Sequence, residues 1–295
     1  MVDVAADNLE SQEAWDGVLF DRFVEFRDVM LPGLGAHGEV AVLNYPPARG
    51  DRVLDVGCGF GDESARLGEL VGPEGSVLGV DIAPRFIAAA ADEFGGSNVR
   101  FEVHDVQTST FDETFDYAFS RFGTMFFANP VAALRNVRRA LAPGGRFVAV
   151  VWRRREDNPW LHVAETTVKP LVPVVEETDE PRCGPGPFFM ADADTTSTIF
   201  RNAGFQDISF LRCDLPLRTG RDLDEAVAAN MALGPAAEAV RLAGESAESM
   251  TPQLEQLLRD ALAPYVTPDG VVLGSSTWIV AAQAPRSASS ASSSR

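Results

Sequence analysis

Between positions 51 and 152, short apolar runs alternate with stretches of helical period. RVLDV (52–56), SVLGV (76–80), VRFEVH (99–104), FDYAFS (115–120) and RFVAVVW (146–152) are rich in β-branched and aromatic residues, as buried strands are. Between them the spacing predicts a helix from the glycine turn after Val56 through Leu70, a second over 84–94 and a third over 130–141. Pro84 suits a first helical turn, where its missing N–H costs nothing. Pro143-Gly144-Gly145 marks the turn into the fifth strand. Strand–helix alternation of this kind predicts an α/β fold, a doubly wound parallel sheet with helices on both faces and right-handed crossovers.

The flanks read differently. Residues 8–30 are helical, with Trp15, Leu19, Phe20, Phe23, Phe26 and Met30 largely on one face, either as packing or as a flap over a ligand. LPGLG (31–35) is expected to break this helix, with a further short helix over 38–45 ended by Pro46 and Pro47. After Trp152 come helix-like pieces and the segment PRCGPGPFFM (181–190). A helix over 193–203 stops at Gly204, and a sixth strand covers 206–213. Helices over 221–264 are expected to break near Gly234-Pro235 and Thr251-Pro252, before a final strand at 275–283. The expected organisation is an N-terminal helical cap (1–50), a cofactor-binding half (51–152), a cap insertion (153–190), a helix and sixth strand (191–213), a second helical cap insertion (214–270), the last strand (271–285) and a tail of disordered composition (286–295).

Charge narrows the partners. The 295 residues hold 25 Lys+Arg against 43 Asp+Glu, a net charge of −18, which repels nucleic-acid phosphates and anionic membrane surfaces alike. Cys58, Cys183 and Cys213 form no disulfide framework, and His37, His104 and His162 share no metal spacing, so no metal is expected. The acidic start MVDVAADNLE lacks a signal pattern, and the apolar runs are too short to span a bilayer, so a cytoplasmic location is expected. A homodimer is left open.

The chemistry gathers at the ends of the predicted strands. Asp55-Val-Gly-Cys-Gly-Phe-Gly61 lies between a strand and a helix, with Gly57, Gly59 and Gly61 spaced G-x-G-x-G rather than as a dinucleotide pyrophosphate loop. A carboxylate at Asp55 disfavours a phosphate ligand and favours one with ammonium or sulfonium charge. Asp81 ends the second strand, where an acid can accept from both hydroxyls of a ribose diol; it equally suits the turn into the helix at Pro84. Asp105 ends the third strand, placed to accept from an adenine amino group beside apolar Val106, or to stand as a solvated loop acid. Ser120 ends the fourth strand at the crevice where doubly wound sheets bind ligands.

These motifs resemble the class I S-adenosylmethionine-dependent methyltransferases. VLDVGCGFG, VLGVDIAP, RFEVHDV, FDYAFS and LAPGGRF stand in that family's order across about residues 51–152. SRFGTMFFANP, VVWRRREDNPW, GPGPFFMADAD and RNAGFQDISF resemble the subgroup akin to ubiquinone- and menaquinone-biosynthesis enzymes. The resemblance implies a Rossmann-like seven-stranded sheet with an antiparallel last strand, helical cap insertions, and S-adenosylmethionine as cofactor. It places Gly57, Gly59 and Gly61 beneath the methionine part and Asp55 near its ammonium. Asp81 would bind the ribose, Ile82 would lie beside the adenine, Asp105 and Val106 would flank it, and Ser120 would offer backbone near the methionine end. It implies methyl transfer to O, N or C of a small, partly apolar metabolite, with a non-methylating enzyme on the same fold, such as a cyclase or aminopropyl transferase, as the alternative. Candidate acceptor-side residues are His37, His162 and Arg121.

Overall fold

A computed structural model describes residues 4–171, 185–234, 236–237, 240 and 247–286. Cys183 and the tail from 287 onward lie outside the described residues. The strands are β1 (Arg52–Val56), β2 (Ser76–Asp81), β3 (Val99–Val103), β4 (Phe115–Arg121), β5 (Leu141–Trp152), β6 (Gln206–Gly220), β7 (Val266–Thr267) and β8 (Gly270–Gln283). The described helices are α1 (Leu9–Ala14), α2 (Phe20–Glu25), α3 (Arg27–Asn44), α4 (Asp62–Val71), α5 (Pro84–Phe94), α6 (Pro130–Ala140), α7 (Pro159–Val168), α8 (Ala193–Ala203), α9 (Leu223–Leu233) and α10 (Ala247–Leu262).

The sheet order is β3-β2-β1-β4-β5-β8-β6, with the short β7 paired to β8. β1 to β5 pair in parallel, and β8 runs antiparallel to both β5 and β6. The doubly wound sheet with a reversed last strand is therefore the observed fold. The inner strands β1, β2, β4 and β5 are largely apolar because both faces are covered: Val53, Leu54, Val56, Val77, Val80, Phe119 and Phe147 are fully buried. Burying each such side chain contributes about 1.5–3 kcal/mol. Asn129, Asp192 and Asp222 cap α6, α8 and α9 by accepting from the backbone N–H groups of Ala132, Thr195 and Glu225. No described helix is long and apolar enough to cross a membrane.

The expected break at LPGLG is absent, because α3 runs through Pro32 to Asn44. The chain turns instead at Phe26 (φ −103°, ψ 19°). Close packing explains the glycines: a Cβ on Gly33 would lie 2.9 Å from Leu217 Cγ, and one on Gly38 would overlap Glu63 Oε2. They let α3 lie directly on β6 and α4, and burial outweighs a propensity cost of about 1 kcal/mol per glycine and about 3 for proline. The expected break at Thr251-Pro252 is absent as well. Leu254, Leu258 and Leu262 recur every four residues on α10 and are fully buried in a second apolar cluster with Ala164, Val168, Ala226 and Val227. That packing holds the helix through its proline. The break at Gly234 stands, α9 ending at Leu233.

β6 and β8 are both longer than their patterns suggest. They stay paired from Gln206↔Gln283 to Gly220↔Val271, whereas β5 leaves β8 at Trp152↔Thr277. Pro216 is tolerated because β6 is an edge strand. The free part of this ribbon carries Thr219 and the start of α9 past the carboxyl edge of the sheet, toward the cavity described next.

Candidate functional site

The carboxyl ends of β1, β2, β4 and β5 open onto a cavity of about 360 Å³. Gly57, Gly59, Asp81, Ile82, Asp105, Val106 and Arg121 line it; Asp55, Gly61, Ser120, His37 and His162 do not. The three loop glycines have φ of +71°, +53° and +84°. A Cβ on Gly57 would stand 3.0 Å from Gly123 Cα, and one on Gly61 would press between Phe101 and Ala90. Nothing lies within 4 Å of a Cβ on Gly59. Its missing side chain faces open space, and the left-handed backbone there suits glycine.

Asp81 holds the loop from below. Its Oδ2 accepts from Gly59 N–H at 3.1 Å and its Oδ1 from Ala83 N–H at 3.0 Å. Burial pushes its carboxyl above the usual range, while these backbone donors pull it back. Asp105 is 2% exposed, and its oxygens accept from Ala5 N–H (2.8 Å), Asn8 Nδ2 (2.9 Å) and Gln107 N–H (2.9 Å). The N-terminal segment therefore forms one wall. Gln12 donates to Ile82 O, Asp16 accepts from Arg85 N–H, and Trp15, Phe20 and Phe23 pack on Phe86. The aromatic stripe read in the sequence is thus both core and cavity wall, since Trp15 and Phe23 also line the cavity.

Asp55 is sealed beneath the loop, accepting from Ser64 Oγ at 2.5 Å. Burial raises its pKa to about 7 against that hydrogen bond. Ser120 is fully buried and donates to Val56 O. Arg121 borders the cavity, but its guanidinium is spent: it meets both oxygens of Asp62 at 2.8 Å and Glu63 Oε2 at 2.9 Å. Burial disfavours its charge, and the two carboxylates outweigh that and hold it protonated.

His37 is fully buried. Its Nε2 lies 2.8 Å from Ser275 Oγ and its Nδ1 3.0 Å from Thr277 Oγ1. Ser275 donates to Leu215 O, so Nε2–H donates to Ser275 and Nδ1 accepts from Thr277, a neutral tautomer assigned from the network. Burial lowers its pKa to about 4. Protonation therefore favours the unfolded chain, and stability contributed by His37 is present above pH 6.5 and lost as pH falls toward 4. Relative to a His37→Gln variant, chemical-denaturation curves should show wild type losing up to about 3 kcal/mol across that window. His162 sits on α7 away from the cavity, and its buried Nδ1 has no partner among the described residues.

Residues at the end of β4 and from β5, α7, β6 and α9 complete the site. Phe122 adopts φ +60° at the end of β4, a strained value for a bulky side chain, and stacks on Trp152 at 4.2 Å. Trp160 lies 5.1 Å from Trp152. Thr219 and Asn230 also line the cavity, from β6 and α9. The aromatic character of Phe122, Trp152 and Trp160 is plain in the motifs SRFGTMFFANP and VVWRRREDNPW, but the turn at Phe122 and the reach of the β6–β8 ribbon carry no sequence signal.

Residues 47–180 match the family described as "Methyltransferase domain". The chain is 38% identical over 113 residues to the aklanonic acid methyltransferase DauC of Streptomyces sp. (strain C5), covering 36% of this chain and 51% of that protein. It is 28% identical over 195 residues to the ubiquinone/menaquinone biosynthesis C-methyltransferase UbiE of Vibrio vulnificus, covering 62% of this chain and 75% of that protein. With 51% of DauC and 43% of the Staphylococcus carnosus demethylmenaquinone methyltransferase matched, it spans about half the length of these relatives. Among solved structures, phosphoethanolamine N-methyltransferase 2 of Haemonchus contortus, in complex with S-adenosyl-L-methionine, shares the fold with a TM-score of 0.53 at 17% identity, over 95% of this chain and 60% of that one. The YcgJ protein of a Bacillus does so with a TM-score of 0.51 at 19% identity, over 86% and 98%.

Proposed function

On the premise that the chain carries a class I S-adenosylmethionine-dependent methyltransferase domain of the ubiquinone/menaquinone-biosynthesis type, we propose that it moves a methyl group to an oxygen, nitrogen or carbon of a small, partly apolar metabolite. The observation that carries this reading is one continuous cavity with two unlike ends. Across the sheet order, Asp81, Ile82, Asp105 and Val106 line the side where β2 and β3 end, and Phe122 and Trp152, with Trp160 beside them, line the side where β4 and β5 end.

The residues at the first end fit the cofactor. The Asp81 carboxylate suits a vicinal diol, Ile82 and Val106 suit the faces of a flat base, and the open space over Gly59 admits a ligand to the backbone. The Asp81 carboxylate on the cavity wall also matches a cationic ligand. When bound, the cofactor supplies a methyl group on a sulfonium, open to in-line displacement.

The rest falls to the chain. Phe122, Trp152 and Trp160 hold the acceptor at the second end. The N-terminal segment and α9 close the cavity against water. Asp81 fixes the donor's place relative to the acceptor. Holding two reactants in line can supply about 7–11 kcal/mol of a barrier. His37 is walled off, His162 lies off the cavity and Arg121 is paired, so we assign catalysis to positioning rather than to one of these as a base. The test is cofactor-dependent turnover of a metabolite panel read by mass. A product heavier by one methylene, with release of S-adenosylhomocysteine, is expected; cofactor binding with no methylated product from any acceptor would count against the reading.

A further inference from the structure

Resting on the methyltransferase reading above, the structure assigns Thr219 and Asn230 as the polar anchor of the acceptor, and points to an uncharged, flat acceptor that donates one hydrogen bond to them. The two come from different elements: Thr219 near the end of β6 and Asn230 from the third turn of α9. Both are buried, at 5% and 7% exposure, yet line the cavity. Asn230 Nδ2 donates to Ala226 O at 2.9 Å. The amide oxygen is thus the part of Asn230 left to accept. The Thr219 hydroxyl donates to Val271 O at 3.3 Å and likewise keeps lone pairs to accept with. The Thr219 hydroxyl hydrogen and one of the two Nδ2 hydrogens of Asn230 are in use, and the two side-chain oxygens together can accept from a ligand hydroxyl or N–H.

Charge points the same way. Among the described residues lining the cavity, Arg121 is the guanidinium within reach, and Asp62 and Glu63 already meet it. With Asp62 balanced by Arg121, Asp81 and Asp105 leave the walls net negative. A carboxylate or phosphate entering this space would lose its hydration and find no free cation. The shape is set by the stacked Phe122 and Trp152, interplanar angle 19°, with Trp160 beside them. A flat ring system matches that wall.

The test uses two probes with one ring system, 2-naphthol (neutral, one O–H donor) and 2-naphthoate (an anion), titrated calorimetrically into the full chain at pH 7. 2-Naphthol should bind at least tenfold more tightly. Asn230→Leu should weaken 2-naphthol by about three- to tenfold, the range for one hydrogen bond. Thr219→Val should lower it in the same direction, and neither should shift S-adenosylmethionine affinity. Equal or tighter binding of 2-naphthoate, absence of 2-naphthol binding, or unchanged 2-naphthol affinity in both variants overturns the assignment. The wild-type preference stands as a test even if a variant fails to fold. S-adenosylmethionine is titrated separately: loss of that binding with the naphthol preference intact would reject the methyltransferase reading and keep the neutral pocket, and the reverse result would do the opposite.

Discussion

Replacing Gly59 with valine is expected to weaken S-adenosylmethionine binding more than 100-fold while the protein still folds. The backbone at Gly59 has φ +53°, and no atom lies within 4 Å of a Cβ built there. The new side chain starts in open space and enters the volume proposed for the ligand. A left-handed backbone costs a β-branched residue about 1–2 kcal/mol, so a modest drop in melting temperature accompanies the loss. Gly50 supplies the control. It also has a positive φ (+86°) and open space, and it does not line the cavity. Gly50→Val should show a similar stability cost and unchanged binding. If calorimetry finds both variants binding like wild type, the cavity over the glycine loop is not the cofactor site.

The second large effect is at Asp81. Asp81→Ala should lower cofactor affinity by about 100-fold or more, since it deletes two proposed hydrogen bonds from a carboxylate, each worth about 1.5–3 kcal/mol. Asp81→Asn keeps one acceptor oxygen and should lose roughly tenfold, the equivalent of about 1.4 kcal/mol. Both variants should fold, because Asp81 and Gly59 line the open cavity, where water can reach the Gly59 N–H that Asp81 leaves. Circular dichroism checks the fold and calorimetry the affinity; Ala and wild type binding alike would remove the ribose role.

Much of the frame was legible because local pattern and tertiary need agree there. Val53, Leu54 and Val56 read as a buried strand and are one. Asp81 reads as a strand-end acid and lines the cavity. Where the reading failed, a distant contact outweighed a local rule. Pro32 and three nearby glycines signal a break, but Leu217 and Glu63 press against α3 and keep it whole. Arg121 reads as a free cation, yet its two carboxylates come from α4, more than fifty residues earlier in the chain. His37 in GAHGE reads as a candidate base in a turn. The β6–β8 ribbon places Ser275 and Thr277 on both its nitrogens and buries it. Asp55 reads as a ligand contact because its position in the loop motif is visible and its burial under Ser64 is not. Neither Asn8 nor Ala5 carries a signal that it will meet Asp105 about a hundred residues later.

The measurement that bears most directly on the whole account is a calorimetric titration of the folded full chain with S-adenosylmethionine and with S-adenosylhomocysteine. One site per chain for each ligand, abolished or sharply weakened by Gly59→Val and intact in Gly50→Val, is the predicted result. A folded protein that binds neither ligand would contradict it.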